Sequence, residues 1–438
     1  MRSPMYAATL LLAAALTSPP GAAEDKLTFE QAIAIAVASD PWLDGSRYSE
    51  AALADEAVAA AQLPDPKVEV VAMNFPTDTF NFGQEPMTQF AVGINQMFPR
   101  GASRALSRQQ KEQLAAREPL LRADRRARVT ATVAQLWLDA YSARESIQLI
   151  EGDRALFEQL VDAAVAGYAS ARGRARQPDV IRAQLELTRL DDRLTMLRQR
   201  QDGAERRLAE WVQDAGATGG ALPRLEPLVP VTDKRPPSDW YQQLRLHPAV
   251  LALDVKIDAV ATGIDLAKQQ YKPEWGLKAA YGLRGEDPQG EDRTDLFTVG
   301  VSFDLPLFTE KRQDKTLSAA VARTAATETE RSLLLRQLVA QLENARLQLV
   351  RLDQRRALYR QQLLPQMREQ AEASLAGYYN DESDFAEAVR ARIAELNAKI
   401  DALDIEVERL KIIAQLNYLL AQVPAETGQP AVNKGTQK

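Results

Sequence analysis

A single histidine, His247, and no cysteine leave this 438-residue chain with little material for catalysis. Triads and zinc sets need a second imidazole or a thiolate, so Ser-His acyl transfer and Cys- or His-ligated zinc are not expected. Disulfides, thiolate chemistry and a lipid anchor on an N-terminal cysteine are excluded as well. His247 stands directly before Pro248, where a helix begins, and reads as a cap. The carboxylates Glu395, Asp401, Asp404 and Glu408 read as solvated flanks of a coiled-coil seam, and paired-carboxylate hydrolysis needs a pocket that a coiled coil does not offer. No enzyme activity, cofactor or metal is expected. Two charged clusters remain: Arg172, Arg174 and Arg176 ahead of Asp179 and Arg182, and Asp381, Asp384 and Glu387 with Arg390. Such charges make and break no bonds, and what they do depends on where the fold places them.

The elements that must position these residues are written twice. Asp40-Pro41 returns as His247-Pro248, Pro66 as Pro273, and Phe90-x-Val92-Gly93-Ile94 as Phe297-x-Val299-Gly300-Val301, each 207 residues later. Val133-Ala134-Gln135-Leu136 returns at an offset of 206, and Ala166-Gly167-Tyr168 at 210. A long duplication implies two equivalent structural units. Each reads helix, strand, loop, strand, long helix, turn, helix. The first repeat spans about 24–213, with a hairpin near 66–98 and a helix-pair turn near 167–179. The second spans about 241–422, with a hairpin near 273–305 and a turn near 377–387. A Gly- and Pro-rich linker, 214–240, separates them, and 423–438 reads as a flexible tail. Residues 1–23 read as an export signal: Arg2, a roughly 12-residue apolar run too short to span a membrane, then Gly21-Ala22-Ala23. A net charge of −6 with interspersed signs offers no basic patch for nucleic acid.

Periodicity assigns the element types. Ile393, Leu396, Ile400, Leu403, Val407, Leu410 and Ala414 follow the 3,4 spacing of a heptad seam, matched by Leu187, Leu190, Leu194, Leu197, Ala204 and Leu208 in the first repeat. The helix from about 102 to 165 would be about 95 Å long, against about 50 Å for its return helix, so half of it needs another partner. The helix near 41–62 is of the right order to provide one. In the strands, Phe297, Val299, Val301 and Phe303 alternate with small or polar residues, as do Trp275, Leu277, Ala279 and Tyr281. Such strands suit a small soluble sandwich or a bilayer. Trp275, Tyr281, Phe297 and Phe303 lie near strand ends, as in an interfacial girdle, and the strands approach the ~9–11 residues needed to cross. Four strands cannot close a barrel, so in a membrane several chains must pool them.

The whole mature chain resembles the TolC-like outer-membrane factor family, the exit ducts of tripartite efflux and type I secretion systems. The resemblance rests on Leu27-Thr28-Phe29-Glu30-Gln31-Ala32-Ile33 followed by Asp40-Pro41, on Phe98-Pro99 and Leu305-Pro306-Leu307-Phe308, and on Gly167-Tyr168 through Pro178-Asp179-Val180-Ile181-Arg182-Ala183-Gln184-Leu185-Glu186-Leu187. It implies a mainly α fold with β: tandem-repeat coiled-coil helices forming a periplasmic α-barrel, and four transmembrane β-strands per chain completing a 12-stranded barrel in a homotrimer. An equatorial collar is expected at 27–40, 214–242 and beyond 420. The implied setting is the outer membrane of a Gram-negative bacterium with a large periplasmic portion. The implied partners are outer-membrane lipid, a periplasmic membrane-fusion adaptor and an inner-membrane RND-type pump. Ser170-Ala171-Arg172-Gly173-Arg174 through Leu187 looks like the heavy-metal efflux branch, while type I protein secretion and a soluble periplasmic coiled-coil scaffold stand as alternatives.

Members of this family narrow at the periplasmic tips, where acidic residues restrict the pore. By position after Tyr378, Glu387 matches the first gate acid and Arg390 the second, so a base replaces an acid. The resemblance implies an entrance lined by Glu387, Asp381 and Asp384 with Arg390 paired to an acid across the closed tip. Asp179 and Arg182 lie beside it, and the basic Arg172, Arg174 and Arg176 mark the first repeat's tip.

Overall fold

The computed structural model describes residues 27–169, 176–212, 225, 237–380 and 385–423. The proposed signal, most of the linker and the tail from 424 on lie outside the described residues. The first repeat contains α1 (Phe29–Ala38), α2 (Pro41–Ala60), β1 (Lys67–Met73), β2 (Gln89–Phe98), α3 (Ser103–Ala169) and α4 (Gln177–Val212). The second contains α5 (Pro237–Leu244), α6 (Pro248–Gln269), β3 (Trp275–Leu283), β4 (Leu296–Phe303), α7 (Gln313–Leu358), α8 (Leu364–Tyr379) and α9 (Phe385–Leu419).

The helix starts follow from local chemistry. Thr28 and Gln31 form a reciprocal capping box ahead of α1. Asp40 caps α2, with Pro41 in the first turn, where its missing N–H costs nothing. His247-Pro248 repeats this arrangement at α6. Pro64 and Pro66 follow the end of α2, and Pro273 follows the end of α6, where each blocks continuation of the helix.

The 67 residues of α3 rise about 100 Å, whereas α4 has 36 residues. The expected cover by α2 is present, and α6 and α9 of the second repeat also lie along α3. Gln110 donates to the Ala259 carbonyl at 2.9 Å, and Thr262 to Gln113 at 2.8 Å, tying α6 to α3. Burial on α3 is therefore wider than one heptad seam: Ala134, Trp137 and Leu138 are buried beside Val133, Ala140 and Ile147. In the second repeat the long helix is interrupted. Tyr359–Leu363 form a π turn in which the Leu364 N–H donates to the Tyr359 carbonyl, five residues back. Pro365 follows immediately; it has no N–H to give the Gln361 carbonyl, and the extra residue of the π turn relieves its ring.

The two hairpins, expected one per repeat, join into one antiparallel sheet of order β1-β2-β3-β4. Phe90 pairs with Leu283 and Phe98 with Trp275 across the β2–β3 boundary between the repeats. At seven and eight residues, β1 and β4 are shorter than the expected strand length. Three cores run down the molecule. One gathers α1, α3 and α4 around Phe29 and Trp137, whose rings meet edge to face at 5.9 Å. A second unites Leu138, Trp240, Leu342 and Leu410, and a third holds the helix tips. Leu225, from the linker, packs against the first two.

Candidate functional site

The sheet has two chemically distinct faces. Residues directly opposite in an antiparallel pair point to the same side. Val68, Ile94, Ala279 and Val299 form one cross-strand row, and Val70, Val92, Tyr281 and Phe297 the next. This face also carries Phe90, Leu277, Val301 and Phe303, and its large apolar side chains are exposed; Phe297 is 70% exposed. Trp275 pairs with Phe303 at one edge of the band, their rings 5.0 Å apart. Tyr281 pairs with Phe297 toward the other end, one row before Phe90 and Leu283, and donates its hydroxyl to Asp295 at 2.6 Å. Six residues of β3 separate the two levels, about 20 Å of strand. The four residues expected to form a girdle thus share the apolar face and lie toward its two ends.

The opposite face carries the charges and most of the small residues. One row is Lys67, Asn95, Lys278 and Gly300; the next is Glu69, Gly93, Ala280 and Thr298. Lys278 and Glu69 form an ion pair at 2.5 Å, diagonally across β2. The alternation in the strands was legible, but this pair was not. Its signal was two opposite charges on strands of different repeats, which only the register brings together.

At the other end, α3, α4, α8 and α9 meet around Phe157, Leu160, Ala164, Ala183, Phe385 and Val389. Tyr378 packs edge to face on Phe385, 5.3 Å between centroids. Glu387 and Arg390 point outward from the first turns of α9, and Arg390 donates to its own helix at the Ala386 carbonyl, 3.1 Å. Asp179 is buried and accepts the Arg176 N–H at 2.8 Å, closing the start of α4. Arg176 and Arg182 are exposed. Asp381, Asp384, Arg172 and Arg174 lie outside the described residues, so the tip charges are seen only in part.

The expectation that the α9 carboxylates are solvated fails at Glu395, which is 5% exposed. It is held by Arg392 at 2.8 Å and Lys399 at 3.1 Å, and Lys399 reaches on to Asp153 at 3.5 Å. Its position flanks the seam of α9, but three other helices pack nearby, so the flank is interior and the charge needs partners.

His247 is 1% exposed. Its Nδ1 accepts the Ala249 N–H at 3.2 Å, which leaves Nε2–H to donate to the Tyr418 carbonyl at 3.2 Å. Burial holds its pKa below the ordinary imidazole range, and the neutral form suits both bonds. The Tyr418 hydroxyl meets Asp124 at 3.2 Å, and burial pushes its pKa up. Among the described residues no group of three His, Cys, Asp or Glu side chains is arranged to hold a metal ion, and no helix is long and apolar enough to cross a membrane.

No family model matches the sequence, and no curated protein matches it. Solved structures do. The outer-membrane channel OprN superposes with a TM-score of 0.74 at 14% identity, covering 90% of each chain. The outer membrane protein VceC of Vibrio cholerae gives 0.72 at 15% identity, over 90% of this chain and 97% of its own. The CmeC outer membrane channel of Campylobacter jejuni gives 0.75 at 10% identity, over 92% and 87%. The chain has the fold of these channels.

Proposed function

We propose that this chain, which has the TolC-like fold, is a passive outer-membrane exit duct that carries substrates from the periplasm to the exterior. The observation that carries the reading is the sheet. Its exposed apolar face suits lipid, its charged face suits water, and both β1 and β4 leave an unpaired edge. An open edge is intolerable in a bilayer, where each unpaired backbone group costs several kcal/mol. In a four-strand meander the two edge strands run in opposite directions, so copies can join β4 to β1 in antiparallel pairing and close a ring. Three copies supply the twelve strands that the TolC-like resemblance implies, and OprN, VceC and CmeC, whose fold this chain shares, are outer-membrane proteins. The long helices then continue the ring as a periplasmic tube.

In this reading a periplasmic adaptor opens the tube and an inner-membrane pump supplies energy, because the chain has no nucleotide-binding loop. The likeness to the channels is independent of substrate and does not distinguish the heavy-metal branch. The gate lies at the tips, where Glu387, Asp381 and Asp384 face the entrance and Arg390 crosses to a neighbouring acid. The packing of Tyr378 on Phe385 holds the start of α9, from whose first turn Glu387 projects.

Fractionation followed by planar-bilayer recording tests this. The protein is expected in detergent-extracted outer membrane, forming channels whose conductance rises and whose cation preference falls when Glu387, Asp381 and Asp384 are reversed to lysine. Recovery in the soluble periplasm overturns the duct. Unchanged conductance and selectivity in the triple variant overturn the gate.

A further inference from the structure

We propose that Lys67 and Lys278 give the membrane bore an excess of positive charge that favours anionic solutes, with Glu69 fixing where that charge lies. The inference rests on the duct reading, in which the charged face of the sheet lines the passage.

All the charged residues of the four strands are on this face: Lys67, Glu69 and Lys278. Lys67 and Lys278 share one cross-strand row through Asn95, and Glu69 lies in the adjacent row. Glu69 engages Lys278 at 2.5 Å, so each chain retains one uncompensated positive charge at this level. The diagonal runs over Gly93, which has no side chain to obstruct it, and a Cβ there would already sit 3.2 Å from that of Ala280. Gly300 extends the row on the far side of Lys278 and has open space above it. Lysine is a flexible point charge on a four-carbon stem. The glycines beside Lys278 leave its stem unobstructed, and the ion pair holds its ammonium over β2 on the face that lines the bore. Both lysines and Glu69 are partly exposed, so the pair itself adds little stability. Its consequence is positional. Closure of a ring repeats the excess in every copy, and a narrow, low-dielectric wall focuses such a field on passing ions.

The absence of native cysteine makes a direct test possible. Thr298→Cys places a thiol on the charged face, one row from Lys278. The assembled protein in liposomes is treated from outside with methanethiosulfonates bearing either sulfonate or trimethylammonium. The anionic-to-cationic rate ratio is expected to fall about fivefold at low salt when Lys67→Gln and Lys278→Gln are added to the reporter. It should fall less as ionic strength rises. The charge swap Glu69→Lys with Lys278→Glu should keep the original ratio. The acidic outer loops are the same in every background and cancel in the comparison.

An unchanged ratio after both lysines are removed overturns the inference while leaving the duct intact. If Thr298→Cys and a second reporter on the same face, Ser302→Cys, are both inert while Val299→Cys reacts, the charged face does not meet water and the duct reading itself fails.

Discussion

Asp40 and His247 show how one residue of a duplicated cap redirects its surroundings. Asp40 caps α2 and also accepts Arg125 at 2.7 Å. In the second repeat the equivalent arginine, Arg331, pairs instead with Asp254, because a neutral imidazole offers it nothing. The capping role was legible from the residue before proline; burial and the bond to Tyr418 were not, since they come from α9, some 170 residues away. The depressed pKa has a definite sign. Above the ordinary imidazole pKa of about 6.5, His247 is neutral in both states and its cap contributes fully. As pH falls below 6.5, the unfolded chain gains a proton that the folded one resists, and stability drops. Thermal melts from pH 8 to 5 should therefore show an acid-side loss that His247→Asn flattens, because an amide keeps the acceptor without titrating. His247→Ala should cost about 1 kcal/mol above pH 6.5, where the cap is intact, and less in acid, where the wild type loses stability that alanine does not. His247→Asp, although it copies the first repeat, should be worse than His247→Asn, because Asp124 lies close enough to act on this site electrostatically. Equal acid-side losses in wild type and His247→Asn would rule out the histidine as the source.

Element-scale behaviour divides between what periodicity reveals and what partners impose. The α9 seam was legible residue by residue: Leu396, Ile400, Val407, Leu410 and Ala414 are all buried. On α3 the same reasoning found one stripe of a helix that packs on several sides, because the flanking helices α6 and α9 arrive from the other repeat. The π turn escaped it although Pro365 was a visible signal, since a proline inside a helix marks strain without saying which turn absorbs it. The strands were legible as alternating, and the alternation predicts an asymmetry between neighbours. Arginine in place of Val299 puts a charge on the apolar face and should cost roughly 2–4 kcal/mol of membrane stability near mid-depth. Arginine at Thr298, on the charged face, should cost far less. Urea unfolding of the protein in liposomes measures both, and equal destabilisation would mean that the two faces are not in different solvents.

For the molecule as a whole, the open edges of β1 and β4 make the single chain an incomplete object in a membrane. Native mass spectrometry from mild detergent should give three chains per particle, and the assembled form should resist dissociation until heated. A stable monomer carrying all four strands in detergent would contradict closure. Exposed apolar residues on the helices, among them Leu347 at 67% and Ile181 at 57%, suit the same requirement for neighbours.

The sequence by itself determined the duplication, the helix starts, the heptad seams and the alternation of the strands, because each depends on residues within a few positions of one another. It also determined that histidine is single and cysteine absent, which is a matter of composition. Tertiary structure alone decided that the hairpins form one sheet, that α6 and α9 lie along α3, that Glu395 is interior and that Lys278 meets Glu69. Each of these joins residues from distant segments, whose contact depends on strand register and helix packing and leaves no local pattern to read.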